Sequence, residues 1–249
     1  LPHLGVVGMA FGQSWYRTIL PSNPGLQNFQ AALGHSLTIP SISNSMRYAV
    51  LALLLALALG TFAAYVIVRG KGKWRWLLDC CTMLPLAVPG LILAAGYVAL
   101  TAAGPLARFG PTRQAVPLLI VAYTVRRLPF VVRGVSAGLE QVSPTLEEAA
   151  RNLGARPAGA VARITLPLIA ANIIAAAVLT FAFAVLEVSD SLILAQTKPL
   201  YPITKMIYEL VTSTGALETT NQAAALGVYG MALLAATMGL ASLLLGRRL

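Results

Sequence analysis

Two carboxylates at the end of an apolar run have the clearest chemical potential in this chain. Glu187 and Asp190 are three residues apart, a spacing that places them on one face of a helix. A carboxylate within a membrane is costly and usually faces a cavity or a partner. Both side chains could therefore line a path for a charged solute. The alternative is that they lie at the water boundary and form a local cap or ion pair, for example with Lys198.

Further polar groups in apolar segments could face the same path. They are Tyr97 and Tyr123, and with them Asn172 and Tyr229. Hydrogen bonding between neighbouring helices is the more ordinary use of such groups in a membrane. The sequence leaves both readings open for each of them.

Residue types that catalysis requires are sparse. The two histidines, His3 and His35, both lie near the N-terminal end, so no nucleophile–base set forms. Cys80 and Cys81 are adjacent, which disfavours a disulfide, and no second pair completes a zinc site. The stretch 69–73 resembles a phosphate-binding loop but lacks its first glycine and its Ser/Thr. We expect no catalytic residue, no metal site and no cofactor.

The composition indicates an all-α integral membrane protein. Of 249 residues, 57% are apolar and only 10% are charged, against about 25% charged in a typical soluble domain. The net charge of +10 fits basic residues that anchor cytoplasmic loops. Nucleic-acid binding is disfavoured because no basic region free of spans remains. We expect residues 1–249 to form one membrane domain.

Five apolar segments could cross the bilayer as helices. Arg126 and Arg127 interrupt the third, and we expect it to continue to Val132 with both arginines reaching toward the interface; a re-entrant segment is the alternative. The apolar start, 1–11, is too short to span and is expected to be the end of a truncated helix. The expected spans are 48–68, 77–101, 114–132, 170–186 and 219–246.

Basic residues predict the orientation. When the loop after the first complete span is placed inside the cell, twelve of the 18 Lys and Arg residues face the cytoplasm. Segments 13–45 and 196–221 then lie outside, the first as a turn-rich loop and the second with a surface helix at 203–211. The twelve are Arg69, Lys71, Lys73, Arg75, Arg126, Arg127, Arg133, Arg151, Arg156, Arg163, Arg247 and Arg248.

The polar segment 140–167 lies between two spans and predicts a helix–turn–helix in the cytoplasm. Ser143 before Pro144 is a good helix start. Glu147 and Glu148 then lie where the helix dipole favours anions. Gly154 can take the left-handed conformation that ends the helix.

A second short helix follows the glycine. Pro157 can begin it, and Pro167 breaks it where the chain re-enters the bilayer. Ala149 and Ala150 leave a smooth surface on the first helix, which permits close approach of a partner. A polar helix–turn–helix between spans suggests a docking element.

From Glu148 to Pro167 the sequence reads E-A-A-x3-G-x9-I-x-L-P. This pattern resembles the cytoplasmic coupling loop of type I ATP-binding-cassette (ABC) importer permeases. The resemblance implies that the loop inserts into a cleft on a separate ATPase subunit. The residues that it assigns to this contact are Glu147, Glu148, Ala149, Ala150, Arg151, Gly154, Ile164, Leu166 and Pro167.

The same resemblance implies the partners. They are two ATP-binding subunits, a second permease half that is fused or separate, an extracytoplasmic substrate-binding protein and the lipid bilayer. ATP hydrolysis would belong to the partner, so this chain would not be an enzyme. The implied location is the plasma or inner membrane of a prokaryote, and the chain would then be the C-terminal half of a fused permease or a separate subunit.

Two smaller likenesses concern the substrate. Residues 84–90, L-P-L-A-V-P-G, and residues 43–45, S-N-S, resemble permeases for ferric iron, and related ones for sulfate, polyamines, thiamine or phosphonates. Ferric iron is therefore the first expectation. The competing classes are an ion-coupled secondary transporter that uses Glu187 and Asp190 as a relay, and a membrane scaffold whose loop docks a signalling partner.

Overall fold

The computed structural model describes residues 2–12, 21, 23–113, 115–213 and 217–246, and side chains in the last helix as far as Gly239. Within these ranges the chain forms helices and turns and no strand. Three helices are long and apolar enough to span a membrane, and there are up to five spans if each of two bent helix pairs is counted as one. An all-α membrane fold is confirmed. Arg17, Arg247 and Arg248 lie outside the described residues.

Helices α3 (Thr38–Arg69) and α6 (Ala115–Gln141) form the centre of the bundle. The buried face of α3 consists largely of small residues, among them Ala52, Ala56 and Gly60. A Cβ atom on Gly60 would lie 2.7 Å from Val131 Cγ1, so only glycine permits this approach. Small residues allow close packing between membrane helices, where hydrophobic burial supplies no driving force between them.

The second expected span is broken, so the prediction of one helix over 77–101 was wrong. Helices α4 (Trp74–Ala87) and α5 (Gly90–Leu100) meet at 108°. Val88 between them is extended, with φ −99° and ψ 129°. Proline disfavours helical geometry in the residue before it, and Pro89 follows Val88 directly. Pro89 is therefore the sequence signal for this break.

The third span is a continuous helix, which excludes the re-entrant alternative for the described residues. Helix α6 runs for 27 residues through Pro129. Its expected first residue, Gln114, lies outside the described part. The prediction that Arg126 and Arg127 reach toward the interface was wrong, because both side chains are nearly enclosed within the protein.

The N-terminal region holds helices α1 (Pro2–Phe11) and α2 (Gln27–Gly34). The expectation of a loop over 13–45 was wrong in its described part, because α2 and the first turns of α3 lie there. Residues 13–20 and 22 lie outside the description. The amide of Asn28 donates to the carbonyls of Ala10 (3.1 Å) and Gly12 (2.8 Å), which joins α2 to α1.

The remaining helices agree with the expectation more closely. Helix α7 (Thr145–Asn152) is followed by α8 (Pro157–Ala160), a π-helical turn (Val161–Thr165) and α9 (Leu166–Leu168). A bend of 73° separates this segment from α10 (Ala170–Val185), which begins at the predicted residue. Three further helices complete the chain: α11 (Ser189–Leu194), α12 (Ile203–Ser213) and α13 (Leu217–Gly246). Helix α12 confirms the helix expected from 203, and its Ile203, Met206 and Leu210 are buried.

Candidate functional site

The polar segment folds as the predicted helix–turn–helix. Ser143 Oγ accepts a bond from the Thr145 amide (3.4 Å) at the start of α7. At the other end, Gly154 has φ +91°, a conformation that L side chains rarely adopt. The amides of Gly154 and Ala155 donate to the carbonyls of Arg151 and Ala150, each at 3.0 Å. These bonds satisfy carbonyls that the helix end would otherwise leave free.

The tip of this segment is exposed. Glu148, Ala149 and Arg151 are exposed on α7, and Leu153 just after it is 91% exposed. No atom lies within 4 Å of the position that a Cβ on Gly154 would take. A fully exposed leucine beside small and charged residues offers an apolar centre with a polar rim, which is the usual composition of a protein interface.

The two neighbouring glutamates point in different directions. Glu148 faces solvent, whereas Glu147 is half-buried and accepts two hydrogen bonds. Tyr65 Oη donates to its Oε2 at 2.8 Å, and Thr165 Oγ1 donates to its Oε1 at 2.6 Å. The carboxylate of Glu147 thus joins α7 to both α3 and the π-helical turn.

Arg69 makes a second connection between α3 and this segment. Its Nη2 donates to the carbonyls of Leu139 (3.0 Å) and Val142 (2.6 Å) at the end of α6. The end of α3, the end of α6 and the polar segment therefore lie at the same end of the bundle. This is the end that the distribution of basic residues predicts to be cytoplasmic.

The other expected contact residues lie behind the tip. Ala150 is half-buried, as are Ile164 and Leu166, while Pro167 is exposed just before the bend at Ile169. The structure therefore groups Glu148, Ala149, Arg151, Leu153 and Gly154 on one accessible surface. It places Ile164 to Pro167 in the return toward the bundle.

A buried cluster of charges occupies the middle of the bundle. Arg126 Nε and Nη2 donate to the two carboxylate oxygens of Asp190 at 2.9 and 2.8 Å. The same Nη2 donates to the Gly90 carbonyl at 3.0 Å, directly at the break between α4 and α5. Asp190 is 0% exposed and Arg126 is 9% exposed. A bidentate arginine–carboxylate pair with a further bond is the geometry in which a buried charge is tolerated.

Glu187 completes the cluster. It accepts a hydrogen bond from Arg127, and its Oε2 lies 3.5 Å from Arg126 Nε. Two cations thus face two anions. The expectation that these carboxylates lie at the water boundary and pair with Lys198 was wrong, because both are buried and their ion-pair partners lie about 60 residues earlier. A local cap does form, since Glu187 Oε1 accepts a bond from the Asp190 amide (3.4 Å) at the start of α11. Two arginines in an apolar run and two carboxylates in another could have indicated this pairing from the sequence.

The tyrosines expected on a path are packing residues in this conformation. Tyr123 is 1% exposed and belongs to a core cluster with Tyr48, Leu119 and Leu194. Tyr97 is partly buried against the same cluster. Asn172 lies elsewhere, in a groove of about 540 Å³ beside Arg133 and Phe130. The structure therefore brings Glu187 and Asp190 together and leaves Asn172 apart.

Several residues of the site were missed by sequence reasoning. They are Tyr65, Thr165 and Arg69, which hold the polar segment, and Leu153 at its tip. A tyrosine and an arginine near the end of an apolar span are common interface residues, so no local signal distinguished them. Leu153 could have been recognised as an apolar residue at a predicted turn.

Three relatives share part of the sequence. A probable ABC transporter permease of Sinorhizobium fredii is 34% identical over 167 residues, 66% of this chain and 29% of the relative. A probable molybdenum ABC transporter permease of Haloferax volcanii is 33% identical, covering 73% of this chain and 67% of the relative. A putative ferric transport system permease of Haemophilus influenzae is 30% identical, covering 66% and 26%. The chain thus spans about a quarter of two of these relatives.

A solved structure supports the fold. A chain of a bacterial ABC transporter for import of the acidic polysaccharide alginate superposes with a TM-score of 0.78 and 20% identity. The match covers 99% of this chain and 88% of the other. Residues 56–249 also match the family model described as binding-protein-dependent transport system inner membrane component. The family match covers most of the chain, including the helix–turn–helix, and the chain belongs to this family of inner-membrane transport components.

Proposed function

We propose that this chain is a permease subunit of an ATP-driven importer. It forms half of a translocation pathway and receives the conformational change of a separate ATPase through segment 140–167. The family match and the arrangement of the spans support a transport role. The observation that carries the coupling role is the exposed tip, where Leu153 is 91% exposed and no atom lies within 4 Å of the Cβ position on Gly154.

The rival class, an ion-coupled secondary transporter, has less support. It would use Glu187 and Asp190 as a relay for a proton or cation. Each of these carboxylates is already paired with an arginine, and the cluster has no net charge. A relay needs a carboxylate that can exchange its partner during the cycle. Uptake that continues in vesicles without ATP would favour this rival.

The path itself requires a further conformation. Glu187, Asp190, Tyr97 and Tyr123 enter the proposal as residues that rearrangement of the two bent spans would expose. The Gly90 carbonyl accepts a hydrogen bond from Arg126, so the buried cluster adjoins the bend between α4 and α5. In the present conformation the cluster is closed.

The proposed partners follow from the family. They are two ATP-binding subunits, a second permease half and an extracytoplasmic substrate-binding protein, in the plasma or inner membrane of a prokaryote. For the substrate, ferric iron stays the first proposal, with phosphonate, polyamine, sulfate and thiamine as alternatives. The relative named for molybdenum adds molybdate to that set.

Two glycines of segment 140–167 provide the test. Gly154 has a positive φ, whereas Gly159 lies in a short helix, and neither has an atom within 4 Å of its Cβ position. We expect Gly154→Val to abolish co-purification of the ATPase subunit, because a β-branched residue strains this turn by about 1–3 kcal/mol and reshapes the tip. Gly159→Val is the matched control and should retain the partner. Equal retention by both variants would contradict the docking role.

A further inference from the structure

We propose that Glu147 is a positioning residue that joins the docking helix α7 to the first complete span α3, so that these two elements move as one body. The proposal rests on the proposed function and assigns different tasks to two adjacent glutamates. Glu148 faces the partner, and Glu147 faces the bundle. The Glu147 bridge is defined as Glu147 with its two donors, Tyr65 and Thr165.

The bridge connects parts of the chain that are far apart in sequence. Tyr65 lies 82 residues before Glu147, and Thr165 lies 18 residues after it. The two donors bind different oxygens of the carboxylate, so both oxygens are used. Both donors are hydroxyls, and neither carries a charge. Hydrogen bonds to an ionised carboxylate are short and about twice as strong as those between neutral groups. Tilting of α7 would therefore have to carry α3 and the π-helical turn or break both bonds.

Among the described residues, this bridge is the main polar connection between α3 and α7. Arg69, one turn further on, binds the end of α6 rather than α7. Beside the bridge lies an apolar groove of about 650 Å³, lined in part by Tyr65, Thr165 and Leu139. Ile169 packs in the same apolar cluster as Tyr65, so the two hydrogen bonds add a directed connection to this packing.

The proposal separates docking from transmission. Loss of the bridge should leave the exposed tip unchanged, because Glu148 and Leu153 are exposed and no atom lies within 4 Å of the Cβ position on Gly154. The partner would still bind and hydrolyse ATP, but its movement would reach α3 less efficiently. A residue with a merely structural role would instead lower the amount of folded protein and affect both steps equally.

Two isosteric substitutions test the bridge in the full transporter. Tyr65→Phe and Thr165→Val each remove one hydroxyl. Each should leave co-purification of the ATPase and ATP hydrolysis within about twofold of the unaltered complex. Each should lower the uptake per ATP hydrolysed by at least about fivefold, as expected for one charge-assisted hydrogen bond. The transport probes are radiolabelled ferric ion and molybdate in membrane vesicles.

Matched controls exist for both changes. Tyr208→Phe removes the hydroxyl of an exposed tyrosine on α12, at the opposite end of the bundle. Thr180→Val alters a threonine that is 0% exposed, like Thr165, but whose Oγ1 has no hydrogen-bond partner in the described part of the chain. Both controls should transport normally. Bridge variants that match the controls would overturn the proposal.

A distance measurement tests the rigid connection without any substrate. Spin labels are placed at exposed positions of the two elements, Phe62→Cys on α3 and Asn152→Cys on α7, after Cys80 and Cys81 are replaced by serine. With the bridge intact, the distance should stay the same when ATP binds; with Tyr65→Phe and Thr165→Val combined, it should broaden or shift. An ATP-dependent change of equal size in both would contradict the bridge. Failure of the spin-labelled chain with an intact bridge to bind the ATPase would instead count against the proposed function.

Discussion

Four charged side chains enclosed within the bundle make this fold sensitive to single substitutions. Arg126 binds Asp190 through two hydrogen bonds, and Arg127 binds Glu187, so two cations pair with two anions inside the bundle. Removal of one member leaves the cluster with one uncompensated buried charge. Removal of a complete pair leaves no such charge, and the second pair stays balanced. The energetic consequence of a substitution therefore depends on what it leaves behind.

This difference gives a prediction for single and double variants. Asp190→Leu should destabilise the protein by about 3–5 kcal/mol, because it removes both carboxylate oxygens that Arg126 binds and leaves one positive charge uncompensated in the buried cluster. The double variant Arg126→Met with Asp190→Leu should recover most of that loss. Thermal unfolding of the purified protein in detergent measures both. A double variant as unstable as the single one would show that the charges contribute more than mutual neutralisation.

At the scale of elements, close approach of α3 and α6 positions both the buried charge cluster and segment 140–167. Small residues on α3 allow the two helices to pack tightly, and Tyr65 and Arg69 then reach the polar segment from the end of the same helix. Helix α5 is tied to this pair through Gly90 and Arg126. Helices α3 and α6 thus link segment 140–167 to the buried charge cluster.

Two glycines test this packing. Gly60→Ala should lower the free energy of unfolding by about 1–3 kcal/mol, because its Cβ would overlap the Val131 side chain. Gly96→Ala is the control, since no atom lies within 4 Å of its Cβ position in α5. It should be neutral or stabilising by up to about 1 kcal/mol. Equal loss in both variants would mean that the effect comes from helix propensity or insertion rather than from the α3–α6 contact.

Local signals in the sequence predicted the elements better than their contacts. Pro157 and Gly154 indicated the helix–turn–helix, because caps and turns depend on neighbouring residues. The break before α10 was predicted at Pro167, but the helical turn continues to Leu168 and the bend lies at Ile169. The bend at Pro89 was missed because proline within a membrane helix has two outcomes, a kink or a break, and surrounding helices decide between them. The contacts of Arg126 and of Glu147 bring distant segments together, and composition or spacing within one segment does not specify such pairs.

At the scale of the whole molecule, the proposed coupling sets the direction in which a conformational change would travel. An ATPase outside the bilayer would move α7, the Glu147 bridge would carry the movement to α3, and α6 would carry it toward the buried cluster and the bend at Gly90. Each step uses a contact within the described chain except the first. The first step requires that the tip of segment 140–167 contacts a protein on the cytoplasmic side.

Site-specific photo-cross-linking at Leu153 in intact membranes tests that requirement most directly. A photoreactive residue at 153, in cells that also produce the neighbouring ATP-binding subunit, should form a cross-link with that subunit. The same residue at Phe62, which is exposed on the surface of α3, is the control and should label lipid instead. A photoreactive residue at 153 that cross-links only lipid would contradict the account. So would labelling of position 153 by a reagent that reaches only the outer face of the membrane.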